Sequence, residues 1–290
     1  MFIHIGLGKC STTFIQTRIF PKIAKKINYK YFNKDLSEKF NYLDYMIHPF
    51  ENLRIKFKKK SLISMEILCG DLFYNPYYYY KASVINSKIF PKTSSIIITL
   101  REPISFASSA YSELLTNIFT INKKNFFVKK KFNQKNKYFF DYTKLNYKKL
   151  IKFYTDKFDV VYVVKKEDCK NLDLWSKIFK NSKIKKIKVK DVLINKSLSW
   201  VSLNILYFTN KLINLFGNDL RNYSFNYKEF MRTYIENLVI KFGMYKKISI
   251  DYEVKKIINK NNKFFYRNLV SGKYYKKKSK VLFKPLLNKN

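Results

Sequence analysis

Near its start the chain reads Gly6-Leu7-Gly8-Lys9-Cys10-Ser11-Thr12-Thr13, two glycines followed by a cation and three hydroxyls. Those residue types in that order can hold an anion. Glycine lets a backbone turn sharply and approach a ligand without a Cβ in the way. The first amides of a helix carry partial positive charge and lack intrahelical partners, and a phosphate or sulfate group answers both deficits. Average usage would put about 20 glycines in a chain of this length, and this one has six. An ordinary helix cap by Ser11 or Thr12, with Lys9 in solvent, would use the same residues. The spacing matches neither the nucleotide-triphosphate P-loop nor the dinucleotide loop G-x-G-x-x-G.

A second segment adds to the first. After an isoleucine-rich run come Arg101-Glu102-Pro103, then Ser109 and Tyr111 within a periodic stretch over 104–115. An arginine at the carboxyl end of a buried strand lies on the edge where open α/β sheets bind ligands. With a serine eight residues on, it can hold a phosphate by a forked, charge-assisted contact plus a hydroxyl. A surface ion pair of Arg101 with Glu102 or another acid is the alternative.

These segments need a frame to bring them together. Residues 2–6 (FIHIG) form a short apolar run ending in glycine, and a helical pattern follows over about 12–27. Runs of similar character stand at 61–67 (SLISMEI), 94–100 (SSIIITL) and 159–164 (DVVYVV). Continuous β-branched runs separated by helical patterns predict strands buried on both faces of a parallel sheet with crossover helices, hence an α/β class. From Ser197 onward no comparable run occurs, and periodic segments near 198–216, 227–242 and 251–269 predict helices. The expectation is one domain over 1–290, with an α/β core at 1–195 and a helical C-terminal part at 196–290. The Lys/Asn/Phe-rich stretch 120–142 reads as an insertion or long loop over the site. His4, inside the first strand, reads as a core histidine.

Composition sets the outer bounds. The 290 residues carry 59 Lys+Arg against 20 Asp+Glu, a formal charge of +39. Such a surface attracts polyanions with little regard to their identity. Only six of the cations are Arg, however, and 53 are Lys, in a chain rich in Asn, Ile, Tyr and Phe. That is the profile of AT-rich coding DNA, and most of the excess lysine reads as solvated surface. The lysine runs 58–60, 129–131 and 276–278 read likewise, with an anionic glycan or a membrane headgroup surface as the alternative contact. At 47% hydrophobic and 18% aromatic residues, disorder is excluded. Cys10, Cys69 and Cys169 lack C-x-x-C spacing and the two histidines lack H-x-x-x-H, which argues against a zinc site, a disulfide framework or a metal-dependent mechanism. Neither a signal peptide nor an uninterrupted apolar span is read, 198–216 being broken by Asn204, Thr209, Asn210, Lys211 and Asn214. The expected location is therefore the cytoplasm, with peripheral membrane contact kept open. No signature of specific nucleic-acid binding is present.

Together the two anion-suited segments resemble the sulfotransferase family that uses 3′-phosphoadenosine 5′-phosphosulfate, in its bacterial, carbohydrate-type branch. Gly6 to Gln16 is similar to the family's 5′-phosphosulfate loop, G-x-P-K-[TSA]-G-T-T followed by a helix with Leu-Gln. Arg101 to Tyr111 is similar to its 3′-phosphate element, R-x-P-x-x-x-x-x-S-x-Y, in full spacing, and this is the more specific match. Weaker echoes are Val163 to Asp168 (VVKKED), which resembles a strand ending in Tyr-Glu-Asp-Leu, and Asn195-Lys196-Ser197-Leu198-Ser199, which resembles N-x-S-L-S at the start of a helix. Ser11 stands where the loop usually has Gly, Gly8 where Pro or Gly precedes the lysine, and Ser105 where an acid is often found. The glycine-rich basic tail of the hormone-sulfating branch is missing, since Ser271-Gly272-Lys273 is too slight to stand for it, and the adenine platform is left unassigned.

The resemblance implies a P-loop-like three-layer fold and transfer of a sulfuryl group to a hydroxyl acceptor on a carbohydrate, glycolipid or polysaccharide precursor, with adenosine 3′,5′-bisphosphate released. It implies that Lys9 stabilises charge on the departing bridging oxygen, that Gly8, Lys9, Cys10, Ser11, Thr12 and Thr13 cradle the 5′-phosphosulfate, and that Arg101 and Ser109 bind the 3′-phosphate. No metal is implied. For the base, Glu66 at the end of run 61–67 matches a glutamate of carbohydrate-type members, while His48 and Asp71 stay open and a strand-end salt bridge would also explain Glu66. Tyr77 to Tyr80 suit either a sugar ring or packing at a loop. Segments 30–60, 68–92 and 116–145 follow no pattern that names the acceptor, and nothing sets the oligomeric state. Two other classes stay in view: a nucleotide-binding, P-loop kinase-like enzyme, disfavoured by loop spacing and a missing strand-end aspartate, and a basic non-catalytic binder of nucleic acid or another polyanion.

Overall fold

The isoleucine runs become strands because helices cover them on both faces. In the computed structural model, which describes residues 1–7, 9–33, 59–69, 78–116, 120–129, 139–189, 198–216, 230, 234–268, 271–277 and 280–287, a seven-stranded sheet forms the middle layer. Its strands are β1 (Phe2–Gly6), β2 (Lys30–Phe32), β3 (Ser61–Ser64), β4 (Ser95–Leu100), β7 (Val160–Lys165), β8 (Gly272–Lys277) and β9 (Lys280–Pro285), in the order β2-β3-β1-β4-β7-β8-β9. The first five are parallel, with Ile5 opposite Ile98 and Leu100 opposite Lys165, and β7, β8 and β9 pair antiparallel.

Side chains alternate across the pleat. Ile3, Ile5, Ile63, Ile98 and Val163 enter one core, shared with α3 (Tyr78–Ile89), α4 (Pro103–Thr116) and α6 (Tyr147–Thr155). Leu62, Ile97, Tyr162 and Val164 enter the other, shared with α2 (Phe20–Ile27) and α7 (Leu172–Phe179). Each fully buried aliphatic side chain contributes about 1.5–3 kcal/mol relative to exposure. The helical run expected over 12–27 is continuous but not uniform, passing from α1 (Thr12–Phe14) through a π-turn (Ile15–Ile19) into α2.

Two expectations need correction. The C-terminal part supplies helices α8 (Trp200–Phe216), α9 (Glu236–Lys241), α10 (Tyr252–Asn261) and α11 (Lys263–Asn268), but it is not wholly helical, because β8 and β9 extend the sheet from β7. An antiparallel strand near a sheet edge buries one face, so it shows no continuous apolar run; in β8, Tyr274 is buried while Lys273 is partly exposed. The stretch 120–142 is not loop throughout either. It forms α5 (Lys123–Phe126) and a parallel pair, β5 (Phe127–Val128) with β6 (Phe140–Asp141). Phe126, Phe127, Phe139 and Phe140 are buried, with the Phe126 ring 5.4 Å from Tyr111 and Phe140 6.2 Å from Phe106. Among the described residues no helix is long and apolar enough to cross a membrane.

Candidate functional site

Parallel pairing sets Gly6 opposite Thr99, so the loop leaving β1 and the turn leaving β4 open side by side. β1 is also the strand at which the order turns, with β3 on one side and β4 on the other. The crevice outside such a switch point is where open α/β sheets bind ligands.

The loop from Leu7 to Ser11 is tight. Lys9 (φ 66°) and Ser11 (φ 63°) both take left-handed backbone, at a cost of about 1–2 kcal/mol each for a residue with a Cβ. Strain of that kind gathers at ligand sites, and turns with left-handed residues converge their amides on an anion. The Cys10 amide donates to the Leu7 carbonyl at 3.1 Å and the Thr12 hydroxyl to the same oxygen at 3.2 Å. A Cβ on Gly6 would overlap the Thr12 side chain, with Thr12 Cβ itself 3.0 Å away. The glycine is thus needed for the close approach of strand and helix. Behind the loop, His4 is fully buried between Ser64 (Nδ1 to Oγ, 2.7 Å) and Thr99 (Nε2 to Oγ1, 3.3 Å). Burial holds its imidazole down at about 3. It is a core histidine, as its place in the strand led us to expect. The Gln16 amide donates to the Ser64 carbonyl at 3.0 Å, tying the helix to the end of β3.

Arg101 follows the last residue of β4 and is half-buried. Its Nε donates to Ser105 Oγ at 2.7 Å, and one terminal nitrogen donates to Ser109 Oγ at 2.5 Å and to the Lys9 carbonyl at 3.3 Å. The predicted partners Arg101 and Ser109 are therefore in contact, and Arg101 also bridges to the loop. No carboxylate among the described residues lies within ion-pairing distance of it. Glu102 turns away to cap α4, accepting from the Ile104 amide at 3.0 Å and the Ser105 amide at 2.6 Å, and it also accepts from the Tyr266 hydroxyl. Tyr147 donates to the Arg101 carbonyl at 2.9 Å and fixes the backbone there. Burial lowers the guanidinium from its ordinary value, against weaker support from Cys10, Tyr147, Glu102 and Glu167.

Two residues that motif spacing alone did not bring forward complete the cluster. Lys166 follows β7 as Arg101 follows β4, on adjacent strands in register. It is half-buried, and while its carbonyl accepts from the Cys169 amide at 3.2 Å, its ammonium makes no hydrogen bond or ion pair among the described residues. Burial first, then repulsion from Arg101, lowers its ammonium. Glu113 pairs with Lys9 across the loop. Its signal was present in the sequence, since positions 105, 109 and 113 fall four apart on one face of α4.

No family model, curated protein or solved structure matches the chain. The site is therefore read from its own geometry.

Of the loop residues, Cys10 is buried, Thr12 spends its hydroxyl on Leu7, and Ser11 and Thr13 reach the surface. Gly8, His48 and Asp71 lie outside the described residues. Glu66 opens a short 3₁₀ turn (Glu66–Cys69) just past β3, at the same sheet edge as the loop, and its side chain lies outside the described part. Of the tyrosine run, Tyr80 packs on Phe153 with ring centres 4.6 Å apart, and Tyr77 and the side chains of Tyr78 and Tyr79 lie outside the described residues. No group of three or more His, Cys, Asp or Glu among the described residues could hold a metal ion. The arrangement gathers Lys9, Arg101 and Lys166 with strained amides at one crevice, chemistry suited to a ligand with two anionic ends.

Proposed function

We propose that the chain is a sulfotransferase of P-loop-like fold that takes a sulfuryl group from 3′-phosphoadenosine 5′-phosphosulfate and gives it to a hydroxyl of a carbohydrate or of a glycolipid or polysaccharide precursor. The observation that carries this reading is Arg101, a half-buried cation held by two serines and a carbonyl, beside Lys166 and without an ion-pairing acid among the described residues. Two like charges drawn together in partial burial are stabilised by an anion between them.

When bound, the donor supplies the sulfuryl group and an anionic phosphate leaving group. Arg101, Ser109 and Lys166 hold the 3′-phosphate end and so orient the nucleotide. The amides of the left-handed loop hold the 5′ end, and Lys9, released from Glu113, stabilises negative charge as it develops on the departing oxygen. A carboxylate takes the acceptor's proton while the acceptor oxygen bonds to sulfur. The backbone position of Glu66, just past β3 at the sheet edge that carries the loop, supports it in this role. The wide spacing of Cys10, Cys69 and Cys169, with no C-x-x-C pair, fits a reducing compartment such as the cytoplasm.

The test is transfer of radiolabelled sulfuryl from the donor to a panel of hydroxyl acceptors. Lys9→Ala should lower turnover by about 10²–10³, the usual cost of a preorganised charge-stabilising donor. Glu66→Gln should abolish transfer while leaving donor binding intact; unchanged turnover would move the base to His48 or Asp71. Full activity in Lys9→Ala would refute the reading.

A further inference from the structure

Helices α8 and α9 carry large apolar side chains outward. Ile205, Phe208 and Leu212 are spaced three and four apart on α8, and the last two are 64% and 52% exposed. Leu238 and Phe242 lie one turn apart on and just after α9, Phe242 at 67% exposed, and Tyr234 extends that stripe by another turn. Both helices already have a buried side. Leu203 and Leu206 face the core, Asn210 donates to the Leu115 carbonyl at 2.8 Å, and Val239 is buried. The helices are also fastened to each other, since Glu236 on α9 accepts from the Ser202 hydroxyl at 2.6 Å and the Ser199 amide at 2.9 Å. Gly243, in left-handed backbone (φ 67°), ends α9, and Met244 and Tyr245 follow it, both exposed. Lys211 on α8, Lys241 at the end of α9, and Lys246 and Lys247 in the segment after it are exposed.

We infer that this face docks peripherally on an anionic lipid bilayer. Single exposed apolar residues need no explanation, but an exposed apolar stripe on each of two hydrogen-bonded helices marks an interaction surface. Apolar and aromatic side chains fringed by lysine suit the boundary between headgroups and acyl chains. Charge selects the occupant. A second copy would bring +39 against +39, whereas a bilayer containing phosphatidylserine offers the opposite sign. The contact is peripheral, because no described helix is long and apolar enough to cross. This inference does not depend on the sulfotransferase reading.

The test is sedimentation of the full chain with vesicles of phosphatidylcholine alone, and of phosphatidylcholine mixed with phosphatidylserine. The triple variant Phe208→Ser, Leu212→Ser, Phe242→Ser keeps the charge and alters only exposed positions, and its unfolding midpoint should match wild type. Wild type should bind the mixed vesicles and prefer them to phosphatidylcholine alone. The triple variant should bind at least about tenfold more weakly, even in salt high enough to screen lysine attraction. Equal binding by variant and wild type would show plain lysine attraction and overturn the proposal. So would absence of binding to mixed vesicles, or a wild-type dimer that the triple substitution dissolves.

Discussion

Lys166→Met should stabilise the protein when no anion is present and weaken its hold on one. The substitution keeps the apolar stem and removes the charge. Leu100 and Lys165 are register partners on adjacent strands, which lie about 4.8 Å apart, so the charges that follow them stand roughly 6 Å apart. At an effective dielectric of about 20 their repulsion is about 3 kcal/mol. Both groups are partly exposed, and solvent together with Glu167 reduces this to roughly 0.5–1 kcal/mol. Urea unfolding at low salt should therefore show Lys166→Met more stable than wild type by that amount, with the gap closing in high salt. Calorimetry should show adenosine 3′,5′-bisphosphate bound about tenfold more weakly, the loss of one charge-assisted contact. At saturating bisphosphate the order of stabilities should reverse, because wild type gains about 1.4 kcal/mol more from the ligand. A variant that is less stable without ligand, or that binds the bisphosphate as well as wild type, would refute the assignment of Lys166 to the anion site.

Acid should act through His4. Its imidazole is held at about 3 in the fold against about 6.5 when unfolded, so the unfolded chain takes up the proton first as pH falls. The contribution of neutral His4 is complete above about pH 6.5 and is lost on the way down to about 3, amounting to roughly 3 kcal/mol by about pH 4.5. Urea unfolding at neutral pH and near pH 4.5 should show that excess loss in wild type and not in His4→Gln; parallel losses would contradict it. Glu113→Gln should remove the ion pair that holds Lys9 and tighten bisphosphate binding about fivefold, on the order of 1 kcal/mol for a partly exposed pair. Calorimetry showing weaker binding would mean that Glu113 positions Lys9 instead of competing for it.

Much of the frame was legible because it depends on local pattern. Continuous runs such as IIITL can only be satisfied by burial on both faces, so β1, β3, β4 and β7 were readable, and with them the crevice at their carboxyl ends. The contact of Arg101 with Ser109 followed from helical spacing after a strand. Lys166 did not stand out, because it is one lysine among 53 and only strand pairing sets it beside Arg101. Glu113 was hidden for a related reason, since its partner is a hundred residues away in sequence although its helical face was visible. The hairpin of β8 and β9 escaped because Lys-Tyr-Tyr-Lys-Lys carries neither a buried-strand run nor a turn glycine between its strands. The phenylalanines of 120–142 are core residues interspersed with lysines, and composition alone averaged them into a loop.

The claim that Arg101 anchors a doubly anionic nucleotide is tested most directly by titration calorimetry of wild type and Arg101→Ala with adenosine 3′,5′-bisphosphate, beside adenosine 5′-monophosphate. Wild type should bind the bisphosphate at least about tenfold more tightly than the monophosphate, and Arg101→Ala should erase that preference, the usual worth of a charge-assisted phosphate contact. No binding by wild type, or a preference that survives in Arg101→Ala, would contradict it.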